Sequence, residues 1–422
     1  AALTRDPRVA GVAFTGSTET AQIIRRSMAD HLDPTAPLIA ETGGLNAMIV
    51  DSTALPEQAV RDVLASAFQS AGQRCSALRC LYLQEDIADT VEEMLFGAMD
   101  ELTIGDPWHL STDIGPVIDT EAQSGIRGYI EAARAERRVL KELHAPRKGT
   151  FIPPTVLRVK GIQDMPREIF GPVLHIATFR AADLDKVVAA VNATGYGLTF
   201  GLHTRIDDRV QKIVEDVHAG NLYVNRNQIG AVVGSQPFGG EGLSGTGPKA
   251  GGPNYLPRFA RRAADPAQDD GSTTTAAAAQ AAIDAVAAEA RADETLELPG
   301  PTGESNRLTL STRAPVLCLG PGRAAAEQQA QAIRALGGRA ALAPGLLPEA
   351  LATLAGFSGA IHWGSPDQAR PHARALAGRS GPILPLIGGM PDLCHARLER
   401  QVCIDTTAAG GNARLLSEAA EA

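Results

Sequence analysis

The chain has 422 residues, which is too many for one compact domain, so we expect two or three. Its formal charge of −9 and isoelectric point near 5.6 give no general attraction for phosphate backbones, so we predict no nucleic-acid partner. No apolar run approaches the roughly 20 residues that span a bilayer, so we predict no transmembrane segment.

The first 83 residues predict alternating strands and helices. Apolar runs predict strands at 9–14, 38–40, 47–50 and 78–83. Helical spacing predicts one helix at 19–28 and a second that starts at Pro56 and is stopped by Gly72. Cys75 then lies in a loop between that helix and the next strand.

From residue 84 to residue 225 the alternation continues, which favours βα units and a largely parallel sheet. The predicted helices are 87–99, 125–136, 184–192 and 208–217, and the predicted strands are 156–159, 173–179, 199–203 and 222–225.

Residues 263–297 change character, because a Ser/Thr-rich stretch and an alanine-rich run predict a flexible linker with a helix. The βα rhythm then resumes as a second, smaller α/β domain. We therefore predict five segments: 1–40, a remnant of a nucleotide-binding domain; 41–235, the catalytic domain; 236–262, a glycine-rich tail and return segment; 263–297, the linker; and 298–422, the C-terminal domain.

The five cysteines form no CxxC pair, and an odd number with irregular spacing fits free thiols in a reducing cytoplasm. We therefore predict a cytoplasmic protein. The nine histidines show no HxxxH or HExxH arrangement, so we predict no metal site.

A thiol and a carboxylate stand out as candidate catalytic groups. Cys75 ends the stretch Gly-Gln-Arg-Cys at 72–75, and Glu41 opens the stretch Glu-Thr-Gly-Gly at 41–44. A thiol can hold an oxidised aldehyde as a thioester, and a carboxylate can activate the water that releases it. The alternative for a bare cysteine is a buried structural thiol.

These two stretches resemble the nucleophile loop and the general-base loop of the aldehyde dehydrogenase superfamily. The resemblance implies that Cys75 is the nucleophile and Glu41 the base. It also implies an α/β fold: an aldehyde dehydrogenase-like catalytic domain with a parallel sheet and an incomplete Rossmann-like cofactor domain, followed by the smaller α/β domain.

Two further stretches resemble the family's cofactor contacts. The turn Thr-Gly-Ser-Thr at 15–18 links a strand to a helix, and a helix N-terminus suits a pyrophosphate. The resemblance assigns phosphate contact to Gly16 and Ser17. The stretch Glu-Ile-Phe-Gly-Pro at 168–172 resembles the family motif in which the glutamate binds the nicotinamide ribose and the phenylalanine packs by the nicotinamide. The resemblance therefore implies that NAD is the cofactor, that Glu168 binds its ribose and that Phe170 packs by its nicotinamide. The alternative for Glu168 is an ion pair with Arg167.

The stretch from Gln228 to Gly240 resembles the anchor loop of L-glutamate γ-semialdehyde (pyrroline-5-carboxylate) dehydrogenases. In those enzymes backbone N–H groups of the loop and a serine after the nucleophile hold the α-carboxylate of the substrate. The matching residues are Gly230, Ala231 and Ser76, with Phe238 beside the aliphatic part of the substrate. The alternative is a glycine-rich turn with a core phenylalanine.

The C-terminal segments at 298–306 and 406–413 resemble the proline utilization A enzymes, which join an FAD-dependent proline dehydrogenase to this aldehyde dehydrogenase. The resemblance implies a degenerate dehydrogenase-like C-terminal domain. Gly-Pro-Gly at 320–322 lacks the full dinucleotide spacing, so we predict no second nucleotide site there.

The sequence departs from the family at its start, where the upstream cofactor half and the proline dehydrogenase portion have no counterpart. We therefore expect an N-terminally truncated chain, impaired in isolation, whose FAD belongs to the missing portion. The resemblance also implies a homo-oligomer, with a peripheral contact to the inner membrane through that portion.

The predicted activity is NAD-dependent oxidation of L-glutamate γ-semialdehyde to L-glutamate, the second step of proline catabolism. Two alternatives stay open: a dehydrogenase of another aldehyde such as succinate semialdehyde, and a non-catalytic module that dimerises or covers a tunnel.

Overall fold

The structure is a computed structural model that describes residues 2–260, 263–264 and 267–407. Part of the predicted terminal motif, 408–413, lies outside the described residues. Within them the helices are α1 (Thr18–His31), α2 (Pro56–Phe68), α3 (Glu85–Asp100), α4 (Thr120–Ala135), α5 (Leu184–Ala193), α6 (Asp207–Asp216), α7 (Ala276–Ala287), α8 (Gly322–Ala335), α9 (Pro366–Ala377) and α10 (Leu393–Ala396).

The strands alternate with these helices over most of the chain. They are β1 (Val12–Thr15), β2 (Leu38–Glu41), β3 (Ala47–Val50), β4 (Cys80–Gln84), β5 (Val139–Glu142), β6 (Thr155–Arg158), β7 (Val173–Phe179), β8 (Tyr196–Gly197), β9 (Thr199–His203), β10 (Asn221–Val224), β11 (Glu241–Gly242), β12 (Glu294–Leu298), β13 (Glu304–Thr312), β14 (Val316–Cys318), β15 (Ala340–Leu342), β16 (Gly359–Ile361), β17 (Leu386–Ile387) and β18 (Arg397–Asp405).

The chain divides into two compact units, each made of separate stretches. Of the described residues, the first unit contains 2–42, 237–260, 263–264, 267–296 and 308–400, and the second contains 43–236, 297–307 and 401–407. The five segments predicted from the sequence remain a proposal for how the chain is organised.

The second unit is built on a largely parallel sheet. From residues 401–404 of β18 the order runs β10, β9, β3, β4, β7 and β6 with parallel pairing throughout, and β5 closes the edge antiparallel to β6. Every residue of β3, β4 and β9 is buried, as expected for strands that helices cover on both faces.

Apolar clusters lie on the two faces of that sheet. One gathers the apolar sides of α2, α3 and α4, and the other gathers those of α5 and α6. The parallel α/β fold predicted from the sequence is therefore confirmed.

The first unit contains two smaller parallel sheets. Strands β1 and β2 pair in parallel, and a four-stranded sheet has the order β15, β14, β16, β17. Helices α8 and α9 bury alanine-rich faces against the four-stranded sheet, which corresponds to the predicted C-terminal βα rhythm.

Helix α2 and the predicted linker are among the elements that differ from the sequence-based expectations. Helix α2 ends at Phe68 rather than at Gly72, because a left-handed turn begins at Ser70. The stretch predicted as a linker contains strand β12 in addition to the expected helix α7.

Candidate functional site

The loop that carries Cys75 begins with a strained turn. Ser70, Ala71 and Gly72 all have left-handed backbone conformations, with φ of 57°, 54° and 65°. That conformation costs roughly 1–2 kcal/mol for each residue with a side chain, so the surrounding structure must hold the turn in place. Cys75 follows in a half-buried position.

Gly72 is required by close packing as well as by its backbone angle. A Cβ at this position would lie 2.2 Å from the carbonyl oxygen of Gly171. The absence of a side chain therefore lets the Cys75 loop touch the backbone of the loop at 168–172.

Asn46 holds the Cys75 loop from the other side. Its buried Nδ2 donates to the carbonyl oxygens of Cys75 at 2.6 Å and Ala77 at 2.9 Å. Its Oδ1 accepts from the backbone N–H of Thr199 at 3.2 Å. The side-chain amide thereby fixes the loop to the neighbouring strand β9.

Arg79 joins the Cys75 loop to Glu168. Its side chain has no exposed surface, and it donates to the Gly72 carbonyl at 2.7 Å and the Arg74 carbonyl at 3.0 Å. Nη2 also lies 2.9 Å from Glu168 Oε1. Burial lowers the pKa of Arg79, while the negative groups of Glu168 and Cys75 oppose that shift.

Sequence reasoning missed both Asn46 and Arg79. A signal was available for Arg79, because an arginine between Leu78 and Cys80 stands in a segment expected to be buried. A buried arginine needs several acceptors, because a charge buried without partners is costly.

Glu168 forms an ion pair with the buried Arg79, 89 residues away in the chain. Its Oε2 approaches the backbone of Gly43 so closely that a Cβ there would lie 1.8 Å away. Phe170 is 45% exposed, and the Arg79 guanidinium carbon lies 5.3 Å from its ring centre.

The loop at 228–234 is tied to the Cys75 loop through Gln228. The buried Gln228 donates from Nε2 to the Ser76 carbonyl oxygen at 3.2 Å and to Thr199 Oγ1 at 3.3 Å. Ser76 is itself 5% exposed. The second unit thus brings the thiol loop and the start of this loop together.

Glycines shape the rest of that loop. Gly230 and Gly234 have φ of 71° and 85°, and a Cβ on either would meet open space. The glycines are therefore needed for conformation rather than for packing. Gly230 is exposed and Ala231 is half-buried, so their backbone faces an open surface of the unit.

In the first unit, Glu41 and the turn at 15–18 lie side by side at the C-terminal ends of β2 and β1. Strands β1 and β2 are parallel with Thr15 opposite Glu41, and the Gly16 N–H donates to the Glu41 carbonyl oxygen at 3.2 Å. Ser17 caps α1 by accepting from the Thr20 N–H at 3.2 Å. A helix N-terminus therefore begins beside the predicted base.

The Glu41 carboxylate lies in a glycine-rich cradle. Its Oε2 accepts from the Gly240 N–H at 2.8 Å, and a Cβ at Gly245 would lie 2.8 Å from the same oxygen. Burial raises the pKa of Glu41, while the amide of Gly240 and the positive charge of Lys249 oppose that rise.

Lys249 is a buried charge behind Glu41 that sequence reasoning did not single out. Its Nζ donates to the Gly239 carbonyl, and its backbone N–H donates to Glu399 Oε2 at 2.7 Å. Burial lowers the pKa of Lys249, and the negative charges of Glu41 and Glu399 oppose that change. Phe238 exchanges backbone hydrogen bonds with Ala250 in the same segment.

The predicted site residues thus fall into two sets. Those of the first unit are Gly16, Ser17, Glu41 and Phe238, and those of the second are Cys75, Ser76, Glu168, Phe170, Gly230 and Ala231. In the first unit, hydrogen bonds join Gly16 to Glu41 and Glu41 to Gly240, and Phe238 reaches the Glu41 cradle through its chain neighbours Gly239 and Gly240. In the second unit, Arg79 and Gln228 join the loops that carry the other predicted residues.

The Gly-Pro-Gly turn at 320–322 leads into α8, and the carboxylate of Asp270 lies at the N-terminus of that helix. The Arg323 N–H donates to Asp270 Oδ2 at 2.9 Å, and a Cβ at Gly322 would lie 3.1 Å from the Asp270 carboxyl carbon. Hydrogen bonds from Ser272 and Arg323 lower the pKa of Asp270 to about 2.

The described residues contain neither a cluster of metal ligands nor a membrane-spanning helix. No group of three or more His, Cys, Asp or Glu side chains is placed to hold a metal ion in that part of the chain. In the same ranges, no helix is both long and apolar enough to cross a membrane.

The chain belongs to the aldehyde dehydrogenase family, which it matches over residues 1–264. Among its relatives are bifunctional PutA proteins and 1-pyrroline-5-carboxylate dehydrogenases. The PutA protein of Klebsiella aerogenes is 44% identical over 472 aligned positions, which cover 97% of this chain and 36% of the relative. The 1-pyrroline-5-carboxylate dehydrogenase of Bacillus cereus is 40% identical over 257 positions, 59% of this chain and 49% of the relative.

Solved structures similar to this chain include the same two kinds of protein. A crystal structure of a bifunctional proline utilization A protein is 55% identical, with a TM-score of 0.60 over 61% of this chain and 26% of that chain. A Thermus 1-pyrroline-5-carboxylate dehydrogenase with bound NAD is 35% identical, with a TM-score of 0.56 over 61% and 51%. The chain therefore spans about a third of the length of the PutA relatives.

Proposed function

We propose that this chain oxidises L-glutamate γ-semialdehyde to L-glutamate with NAD, as the C-terminal part of a bifunctional protein that also contains a proline dehydrogenase. The observation that carries the proposal is the hydrogen bond from Gln228 Nε2 to the Ser76 carbonyl oxygen. This bond joins the thiol loop to a glycine-containing loop that is suited to bind a carboxylate. The PutA and 1-pyrroline-5-carboxylate dehydrogenase relatives support the same substrate.

The residues of the chain fit NAD, which supplies the hydride acceptor when bound. Gly43 leaves room for the Glu168 carboxylate, and Phe170 presents an exposed ring. Helix α1 begins directly after Gly16 and Ser17, with Glu19 in its first turn. In the proposal, Glu168 holds the nicotinamide ribose and Phe170 packs by the nicotinamide. Gly16 and Ser17 face the pyrophosphate.

The proposed chemistry uses two protein groups. The Cys75 thiolate adds to the aldehyde carbon to form a thiohemiacetal, and its backbone N–H donates to the oxyanion. Loss of hydride from that carbon leaves a thioester. Glu41 takes a proton from water, which attacks the thioester carbon and releases the carboxylate and the Cys75 thiol.

Substrate choice is assigned to the loop at 228–234 and its neighbours. The backbone N–H groups of Gly230 and Ala231, with the Ser76 hydroxyl, are proposed to hold the α-carboxylate of the substrate. Phe238 is proposed to pack along its aliphatic part. This assignment separates the semialdehyde of glutamate from aldehydes that lack a charged far end.

The test uses the full-length protein. Cys75→Ala should abolish NADH formation from the semialdehyde while proline oxidation continues, because only the thiol step is lost. NADH formation by that variant would rule out the assignment. Ser76→Ala should raise KM for the semialdehyde more than KM for an uncharged aldehyde, whereas equal effects would argue against the carboxylate anchor.

A substrate panel that includes succinate semialdehyde separates the proposal from a dehydrogenase of another aldehyde. A thermal-shift titration with NAD addresses the non-catalytic alternative, because a ligand that binds the folded state raises its stability. Assembly as a homo-oligomer, a cytoplasmic location and FAD in the proline dehydrogenase portion complete the proposal.

A further inference from the structure

Glu304 contacts both ends of the loop at 228–234. Its Oε2 lies 2.6 Å from Arg226 Nη1, just before the loop, and its Oε1 accepts from Gln236 Nε2 at 3.1 Å, just after the loop. One carboxylate therefore joins two residues that are separated by the whole loop.

The groups that bond to Glu304 are largely buried, so these contacts belong to the packed interior of the unit. Gln236 is 1% exposed, and the side chains of Arg226 and Glu304 are 17% and 18% exposed. Cys403 is fully buried between the same two partners, with its Sγ 3.0 Å from Arg226 Nη1 and 3.4 Å from Gln236 Nε2. Charge-assisted hydrogen bonds of this kind are stronger than neutral ones.

The side chain of Gln236 also sets the conformation of the loop itself. Its Oε1 accepts from the Val232 N–H at 3.3 Å, and its backbone N–H donates to the Val232 carbonyl at 2.7 Å. Because the same side-chain amide donates to Glu304, the carboxylate orients Gln236, and Gln236 in turn orients Val232. Gly230 and Gly234, on either side of Val232, are exposed, and a Cβ on either would meet open space.

We propose that Glu304 is a positioning residue for substrate specificity: through Arg226 and Gln236 it holds the loop at 228–234 in the conformation that binds a carboxylate. The inference rests on the proposed function, because it needs Gly230 and Ala231 to be the carboxylate donors. Glu304 itself does not touch the substrate. Neutralising it should loosen the loop and selectively weaken binding of aldehydes that carry the carboxylate.

The experiment measures kcat and KM of the full-length protein with L-glutamate γ-semialdehyde and with propanal. Glu304→Gln should raise KM for the semialdehyde by about tenfold, the effect expected when one charge-assisted contact is lost. KM for propanal and both kcat values should change by less than about twofold, since the thiol and its base are untouched. A purely structural role of Glu304 would change KM for both substrates by the same factor.

The matched control is Glu92→Gln. Glu92 also forms a partly buried ion pair, with Arg158 at 2.7 Å, and belongs to α3 rather than to the loop. It should leave the ratio of the two KM values unchanged. Gln236→Leu leaves the pair of Glu304 with Arg226 in place and removes the side-chain hydrogen bonds of Gln236 to Glu304 and Val232. It should raise the same KM selectively, which keeps the inference testable if Glu304→Gln does not fold.

The outcomes separate the two proposals. If the parent protein shows no preference for the semialdehyde over propanal, the proposed function fails. If the parent shows that preference and both variants retain it, or if both substrates weaken equally, the positioning role of Glu304 is overturned.

Discussion

Arg79 and Glu168 form an ion pair in which the guanidinium has no exposed surface and Nη2 lies 2.9 Å from Oε1. The same guanidinium donates to the carbonyls of Gly72 and Arg74, which precede Cys75. One buried side chain thus couples the candidate nucleophile loop to the candidate cofactor loop. A displacement of either loop should therefore shift Arg79 and, through it, the other loop.

Arg79→Lys should impair both stability and turnover. The lysine keeps the charge but lacks the planar fork of donors, and leaving buried carbonyl acceptors unpaired costs about 1–3 kcal/mol of unfolding free energy. Misplacement of Cys75 should lower kcat by about a hundredfold. Denaturant unfolding and steady-state kinetics check both, with Arg158→Lys, in a half-exposed pair, as control. Unchanged kcat would show that Arg79 does not position the thiol.

Gly43→Ala should weaken NAD binding. The new Cβ would lie 1.8 Å from Glu168 Oε2, so the carboxylate must leave its place. We expect KM for NAD to rise by about tenfold, as for the loss of one charge-assisted hydrogen bond.

The control for this change is Gly97→Ala. Gly97 lies in α3 with nothing within 4 Å of its Cβ position, so alanine there should stabilise the helix by about 1 kcal/mol and leave KM for NAD unchanged. A folded Gly43→Ala variant with normal KM for NAD would contradict the role assigned to Glu168.

Lys249→Met should shift the pH profile of turnover. Glu41 must be ionised to accept a proton from water, and its pKa is raised by burial, so turnover limited by thioester hydrolysis should increase with pH above the ordinary carboxyl range. The charge of Lys249 opposes that rise, so its removal raises the pKa of Glu41 further. The profile should move to higher pH. An unshifted profile would mean that Glu41 is not the titrating base.

His175 should make the protein sensitive to acid. Burial lowers the pKa of His175 to about 4, from an ordinary value of 6.5, and its ring bonds the Arg79 carbonyl and the Tyr129 hydroxyl, both at 2.9 Å. Below pH 6.5 the unfolded chain binds a proton that the folded chain does not. About 3 kcal/mol of unfolding free energy should therefore be lost between pH 6.5 and 4.

Denaturant unfolding at a series of pH values checks this effect. His175→Gln should reduce the slope over the same range, because glutamine does not titrate. An identical slope in the variant would place the acid sensitivity elsewhere.

Local sequence pattern was sufficient for elements whose burial comes from their own apolar residues. Strands β3, β7 and β9 coincide with the predicted segments, because each is short and mostly apolar. Strand β18 was not predicted, because Arg397, Glu399 and Gln401 interrupt its apolar residues. Those polar side chains are buried only because distant partners satisfy them, as the Leu310 carbonyl does for Arg397 at 2.7 Å.

The sequence by itself determined the family, the parallel α/β fold and the identity of the candidate thiol and carboxylate, because these depend on short motifs and on periodicity. Only the tertiary structure decided that Arg79 and Asn46 hold the Cys75 loop and that Lys249 lies near Glu41. It likewise placed Glu304 against both ends of the loop at 228–234. Each acts through a hydrogen bond or ion pair with residues far away in the chain, and such partners are chosen by packing rather than by local spacing.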